Sequence, residues 1–155
     1  MLKPDREIFD FVVEDFCIRL PVELVLHPTP PPQAIKVLEG GLAESMKIDN
    51  FDPSGLTGLY RPNGKLVGDS PTLVGHAIWI RNTQDSVRGS ISFIHELVHA
   101  SQTENYGIEE MARSSNEWMA SFGYDGNPIE IEAEAIARYY VYQKGCLILK
   151  EEEYA

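Results

Sequence analysis

The chain has 155 residues, with 13 Lys plus Arg against 24 Asp plus Glu and a formal net charge of −11. That length suits one domain and buries roughly two-thirds of its unfolded surface, so a core closes without a metal or a disulfide. So acidic a surface argues against nucleic acid and anionic lipid as partners, and no apolar run approaches the ~20 residues of a membrane span.

The N-terminus carries Lys3, Asp5, Arg6 and Glu7 and no signal-peptide core, so a cytoplasmic protein is expected. Residues Asp5 to Leu20 read as a helix, because Ile8, Phe11, Val12, Asp15, Phe16 and Arg19 recur at helical spacing. Pro21 stops it, and Val22 to His27 reads as a strand. The run from His27 to Gln33 holds four prolines, Pro28, Pro30, Pro31 and Pro32, and forms a stiff connector. Ala34 to Lys47 gives mixed signals of helix and loop around Gly40-Gly41. Between Gly58 and Val67, two short apolar runs flank Asn63-Gly64, which predicts a hairpin turning there. Leu73 to Ile80 reads as a strand with Val74, His76, Ile78 and Ile80 on one face. Ser86 to Gln102 reads as a helix packed through Ile91, Ile94, Leu97, Val98 and Ser101, with Gly89 weakening it by about 1 kcal/mol relative to Ala. A loop with a short helix near Ser114 to Met119 is expected next. The last helix starts at Asn127-Pro128, a good cap followed by a proline suited to the first turn, and ends near Gln143. Glu151 to Glu153 reads as a solvated tail. Cys17 and Cys146 lie far apart in apolar stretches and read as reduced, partly buried thiols.

The chemistry concentrates in Ile94-His95-Glu96-Leu97-Val98-His99. Histidines four apart on a helix face the same side, so His95 and His99 reach one ion. Zn²⁺ accepts neutral imidazole nitrogen at about 2.0–2.1 Å. Glu96 follows the first ligand, placed to take a proton from a zinc-bound water without ligating itself. No histidine follows His99, so a third ligand from downstream is a carboxylate: Glu117, Glu130, Glu132 or Glu134. On the last helix Ile129, Ala133, Ile136, Ala137 and Tyr140 form an apolar arc. Glu130 lies at its edge and fits best, and Glu134, one turn on, suits an alternative ligand or a hydrogen bond to a ligand histidine.

The His95-Glu96-Leu97-Val98-His99 motif followed by Asn127-Pro128-Ile129-Glu130-Ile131-Glu132-Ala133 resembles zincin-like metallopeptidases of gluzincin type. The small ImmA/IrrE-like group, with its phage-borne relatives, is the nearest resemblance, over roughly residues 56 to 143. The resemblance implies an α+β fold in which a small, mostly antiparallel sheet packs on an active-site helix and a second, glutamate-bearing helix. The chain length fits one domain over residues 1–155, with an N-terminal helix, strand and proline-rich connector (1–50), which the resemblance does not cover, preceding a catalytic core (56–143). The resemblance further implies His95, His99 and Glu130 as ligands of one zinc per chain, Glu96 as general base, and a protein or peptide substrate cleaved at a peptide bond. In such enzymes the strand before the metal helix pairs with the substrate, which would make the backbone of Gly75 to Arg81 the platform and bring His76 near the site. Tyr106, Tyr124 and Tyr139 are candidate oxyanion donors, and Trp79 and Trp118 candidate core or subsite-wall residues. The alternative is a catalytically silent module of the same fold, with structural zinc, binding partners through its acidic surface and Pro28 to Pro32.

Overall fold

The computed structural model describes residues 1–32 and 55–152. In chain order they form β1 (Leu2–Pro4), α1 (Arg6–Asp15), β2 (Val22–His27), β3 (Gly58–Val67), β4 (Ser70–Arg81), α2 (Ser86–Tyr106), α3 (Ile108–Gly126), α4 (Pro128–Tyr142) and β5 (Leu149–Glu151). The fold is mixed α+β. The expected helix or loop at 34–47 lies outside the described residues.

Two small sheets are present among the described residues. The larger has the order β2-β4-β3, with β2 parallel and β3 antiparallel to β4. The smaller is an antiparallel ribbon of β1 and β5. The main sheet is therefore mixed rather than mostly antiparallel. It places Ile78 and Ile80 against α2, where they join Phe93, Ile94 and Leu97 in the core.

The hairpin turns elsewhere than Asn63-Gly64. Strand β3 runs straight through those residues and the turn falls at Gly68-Asp69, with Gly68 at φ 65° supplying the positive φ that a two-residue loop needs. The pairing shifts register there, from Asn63 opposite Gly75 to Gly64 opposite Leu73, so Val74 is the extra residue. It is exposed and does not share the buried face of His76, Ile78 and Ile80. A longer ladder outweighs the local turn preference, and the glycine serves a bulge instead.

Helix α1 begins under an Asp5 cap, whose Oδ1 accepts from Ile8 N at 3.2 Å. It stops at Asp15, five residues before the expected end, because Cys17 takes a left-handed φ of 55°. Cys17 is exposed rather than partly buried, Cys146 is buried, and both are free thiols. Helix α3 is much longer than the expected segment at 114–119 and is interrupted at Gly123 (φ 74°, ψ −179°). The C-terminal glutamates are not wholly tail, since Glu151 lies in β5 opposite Leu2.

Helix α2 is buried on most of its surface, with the sheet, α4 and the β1–β5 ribbon around it. Gly89 explains its own presence there. A Cβ on it would stand 2.6 Å from Leu2 Cδ1 and 3.5 Å from Leu149 Cδ1. Ser90 locks the same contact, donating to Leu149 O at 3.2 Å and accepting from Leu149 N at 3.1 Å. Among the described residues no helix is long and apolar enough to cross a membrane.

Gly89→Ala raises helix propensity, yet it should destabilise the fold by about 1–3 kcal/mol through overpacking against Leu2. Urea denaturation followed by circular dichroism reads this as a lower midpoint, whereas a midpoint at or above wild type would mean the ribbon moves aside freely.

Candidate metal centre

His95 and His99 stand one turn apart on α2 and are both buried. Glu130 comes from the first turn of α4. Its place is set by Asn127, the fully buried cap, whose Oδ1 accepts from Ile129 N at 3.0 Å while Nδ2 reaches Ser115 O at 3.5 Å. With Pro128 at the first helical position, the helix start is fixed in register. The two imidazole Nε2 atoms lie 3.1 Å apart. Each is 2.9 Å from a Glu130 carboxylate oxygen. These three side chains form a group that can hold a metal ion.

The outer nitrogens fix the tautomers. His95 Nδ1 donates to Glu134 Oε2 at 2.9 Å. His99 Nδ1 donates to Gln102 Oε1 at 2.8 Å. The Gln102 amide cannot be reversed, because its Nε2 faces two acceptors, Ile129 O at 3.3 Å and Glu132 Oε1 at 3.2 Å. With both Nδ1 atoms donating, neutral histidines present their Nε2 lone pairs to the same point. Two lone pairs and a carboxylate facing one another repel unless protons or a cation lie between them. The edge of a tetrahedron with zinc–ligand bonds of 2.0–2.1 Å is roughly 3.3 Å, so the donor set fits such an ion after shifts of a few tenths of an ångström.

Without a metal, the surrounding carboxylates favour protons in that role. Burial alone would lower the His95 pKa, but hydrogen bonds to Glu130 and Glu134 and the Glu96 charge outweigh it and push it up to about 10. His99 moves up against its own burial, through Glu130 and Glu96. Burial would raise the Glu130 carboxyl, but its contacts with both histidines hold it well below the usual carboxylate range. Burial raises the Glu96 carboxyl, and the nearby histidines only partly offset this.

Glu96, His99 and Glu130 line a cleft of about 390 Å³ between β3 and α3. Strand β3 crosses directly over Glu96 at Gly58, where a Cβ would lie 3.5 Å from Glu96 Cγ and 2.9 Å from Ile80 Cδ1. Tyr124 also lines the cleft, just past the kink at Gly123. Its phenol pKa is raised by burial, the Glu130 charge and a hydrogen bond with Glu130.

The other sequence candidates lie elsewhere. His76 is fully buried and does not reach the metal donors. It accepts from the Tyr60 hydroxyl at Nδ1 (2.8 Å) and donates from Nε2 to Glu104 (2.7 Å). Glu104 also accepts from Arg19 N at 2.8 Å and Leu20 N at 3.3 Å. The network therefore binds the α1–β2 junction to the sheet and α2. Tyr106 is exposed beside a second groove with Trp118, and Tyr139 is exposed against Tyr140 and Lys144. Trp79 is buried and donates to His27 O at 3.1 Å. Glu117 pairs with Arg113 on the surface, and Glu132 serves Gln102. Strand β4 is paired on both sides, so Gly75 to Arg81 offers no free platform. Among the described residues the edge beside the cleft belongs to β3. Sequence reasoning missed Gln102 and Tyr60. The three-residue spacing from His99 was the available signal for Gln102, and Tyr60 had none, because its partners are remote in sequence.

Comparison of the chain with family models, with curated proteins and with solved structures gives no match.

Two predictions follow from the donor geometry. Gln102→Leu and Glu134→Leu should each weaken zinc affinity by roughly 10–100-fold without removing the site. His95→Ala and Glu130→Ala should lose stoichiometric zinc, as read by elemental mass spectrometry and competition with a chromogenic chelator. Because both imidazoles are shifted toward their protonated forms in the metal-free site, zinc uptake competes with protons. Affinity should therefore fall as pH drops, by up to roughly 100-fold per unit where two protons leave. A flat profile in chelator competition between about pH 6 and pH 8 would contradict that competition.

Proposed function

We propose that the chain is a zinc-dependent metallopeptidase that hydrolyses a peptide bond in a protein or peptide substrate. One zinc per chain would be held by His95, His99 and Glu130, in the manner of the gluzincin-type zincins and the ImmA/IrrE-like group that the sequence resembles. The observation that carries this reading is the convergence of three donor atoms beside an open cleft with Glu96 in its wall. A purely structural zinc site is closed by a fourth protein ligand. Among the described residues the group comprises three side chains, and two of them border the cleft.

Bound zinc supplies Lewis-acid polarisation of a carbonyl and activation of water. The chain's own residues do the rest. Glu134 and Gln102 hold the two imidazoles by their Nδ1–H groups, so the ligand nitrogens need no reorientation. The Glu96 carboxylate takes a proton from the attacking water and returns it to the departing amine. Tyr124 is the one of the three tyrosine candidates that lines the cleft, where its hydroxyl, hydrogen-bonded to Glu130, would have to turn from that carboxylate to donate to a developing oxyanion. Among the described residues β3 is the edge strand beside the cleft, and its backbone would offer donors and acceptors to an extended substrate, the role first expected of β4.

Glu96→Gln should keep the fold and one zinc per chain and lose peptide hydrolysis by at least roughly 100-fold. Cleavage of a denatured-protein substrate mixture, read by new N-termini in mass spectrometry, tests this. Hydrolysis that survives both Glu96→Gln and a zinc chelator would remove the metallopeptidase reading. Zinc held at full stoichiometry with no cleavage by wild type would favour the silent-module alternative.

A further inference from the structure

Two aromatic residues remain unused by the metal centre. Tyr106 and Trp118 are exposed, and both line a second hollow of about 270 Å³ between α2, α3 and the start of α4. A smaller hollow of about 110 Å³ shares Gln102, Tyr106 and Glu132 with it, so the two form one groove. Hollows of this size take single side chains rather than a folded element. Much of the lining is apolar, through Met111, Trp118 and Ile129, and the charges along it have one sign. Glu110 and Glu132 border the groove, and no lysine or arginine among the described residues does.

The two carboxylates differ in one respect. Glu110 is already paired, with Arg113 Nη2 at 2.6 and 2.5 Å from its oxygens. Glu132 is not. Its one hydrogen-bond partner among the described residues is the neutral amide of Gln102 at 3.2 Å, and no described cation reaches it. Residues 108–142 carry seven carboxylates and two arginines, and both arginines are engaged, Arg113 with Glu110 and Arg138 with Glu134. An exposed indole and phenol beside a carboxylate that lacks a counter-charge suit one chemistry above others. A guanidinium pairs with the carboxylate and stacks on the ring faces. An anion meets repulsion there, and a neutral apolar group would desolvate Glu132 without compensation.

We infer that this groove docks an extended, arginine-bearing segment of a partner protein, with the guanidinium on Glu132 against Trp118 and Tyr106. Docking there requires neither bound metal nor turnover, so its test is separate from that of the peptidase reading.

The probe is a blocked pentapeptide with arginine at its second and fourth positions. Its counterpart carries citrulline, which keeps the shape and removes the charge. Isothermal titration calorimetry on the full chain should show the arginine peptide binding roughly tenfold more tightly than the citrulline one. Glu132→Gln and Trp118→Ala should each remove most of that difference, while Glu7→Gln, which deletes the same charge on α1, should leave it unchanged. The chain has two tryptophans. In a nitrogen–proton correlation spectrum the arginine peptide should shift the indole signal of Trp118 and not that of the buried Trp79. Equal affinity for the two peptides, or binding of neither, would overturn the inference. So would equal losses in Glu132→Gln and Glu7→Gln, which would mean attraction to the net charge alone. Binding that leaves the Trp118 indole unshifted would place the peptide elsewhere and overturn it as well. Self-association in sedimentation that Trp118→Ala abolishes would make a second copy the occupant and likewise overturn it.

Discussion

Two imidazole nitrogens 3.1 Å apart, both facing one carboxylate, are an arrangement that a folded chain tolerates only if something positive lies between them. In the protein without metal, the Glu130 and Glu96 carboxylates shift both histidines toward their charged forms. With a metal, one cation does the same work for all three groups. Either way the cluster ties α2 to α4 through a charged contact that is largely shielded from water. Taking one member away would leave the others buried and unpaired, which is far more costly than the net worth of the contact.

The rest of the fold reads as support for that contact. Helix α2 must be buried to carry both ligands in a low-dielectric place, and it is covered by the sheet, by α4 and by the β1–β5 ribbon. Glycines make two of these approaches close enough. Gly89 admits Leu2 against the helix, and Gly58 leaves room for Ile80 Cδ1 where β3 passes Glu96. The start of α4 is fixed by the buried Asn127, so the first-turn Glu130 faces the histidines rather than solvent. Gln102 contributes twice, orienting His99 on its own helix and holding Ile129 O and Glu132 on α4.

The His76–Glu104 pair performs a comparable task away from the cleft. It joins β4, α2 and the α1–β2 junction and fixes the Tyr60 hydroxyl. Tyr60 lines the cleft with its ring 6.2 Å from that of His99. A buried polar chain behind a site in this way sets the pose of a wall residue without taking part in its chemistry. An acidic chain with a cleft bordered by Glu96 and Glu130 also has a consistent electrostatic character. Both the overall charge of −11 and the local carboxylates act against anionic ligands.

The sequence by itself determined what depends on spacing within one element. Four residues between His95 and His99 on a helix bring two imidazoles to one side, Asn127-Pro128 starts a helix, and the edge of its apolar arc puts Glu130 toward the partner and Glu134 one turn behind. The geometry of a helix is local, so these features were legible. Tertiary structure decided whatever depends on pairing between distant segments. Asn63-Gly64 carries the local signal for a turn, but pairing with the twelve-residue β4 makes it a bulge and moves the turn to Gly68-Asp69. Strand β4 looked like a platform until β2 and β3 took both its edges. Of Tyr106, Tyr124 and Tyr139, only the kink at Gly123 and the packing of α3 bring Tyr124 to the cleft. His76 is turned away by Tyr60 and Glu104, which lie 16 residues before it and 28 after it in the chain. Such contacts arise from register and packing, which no short window of sequence encodes.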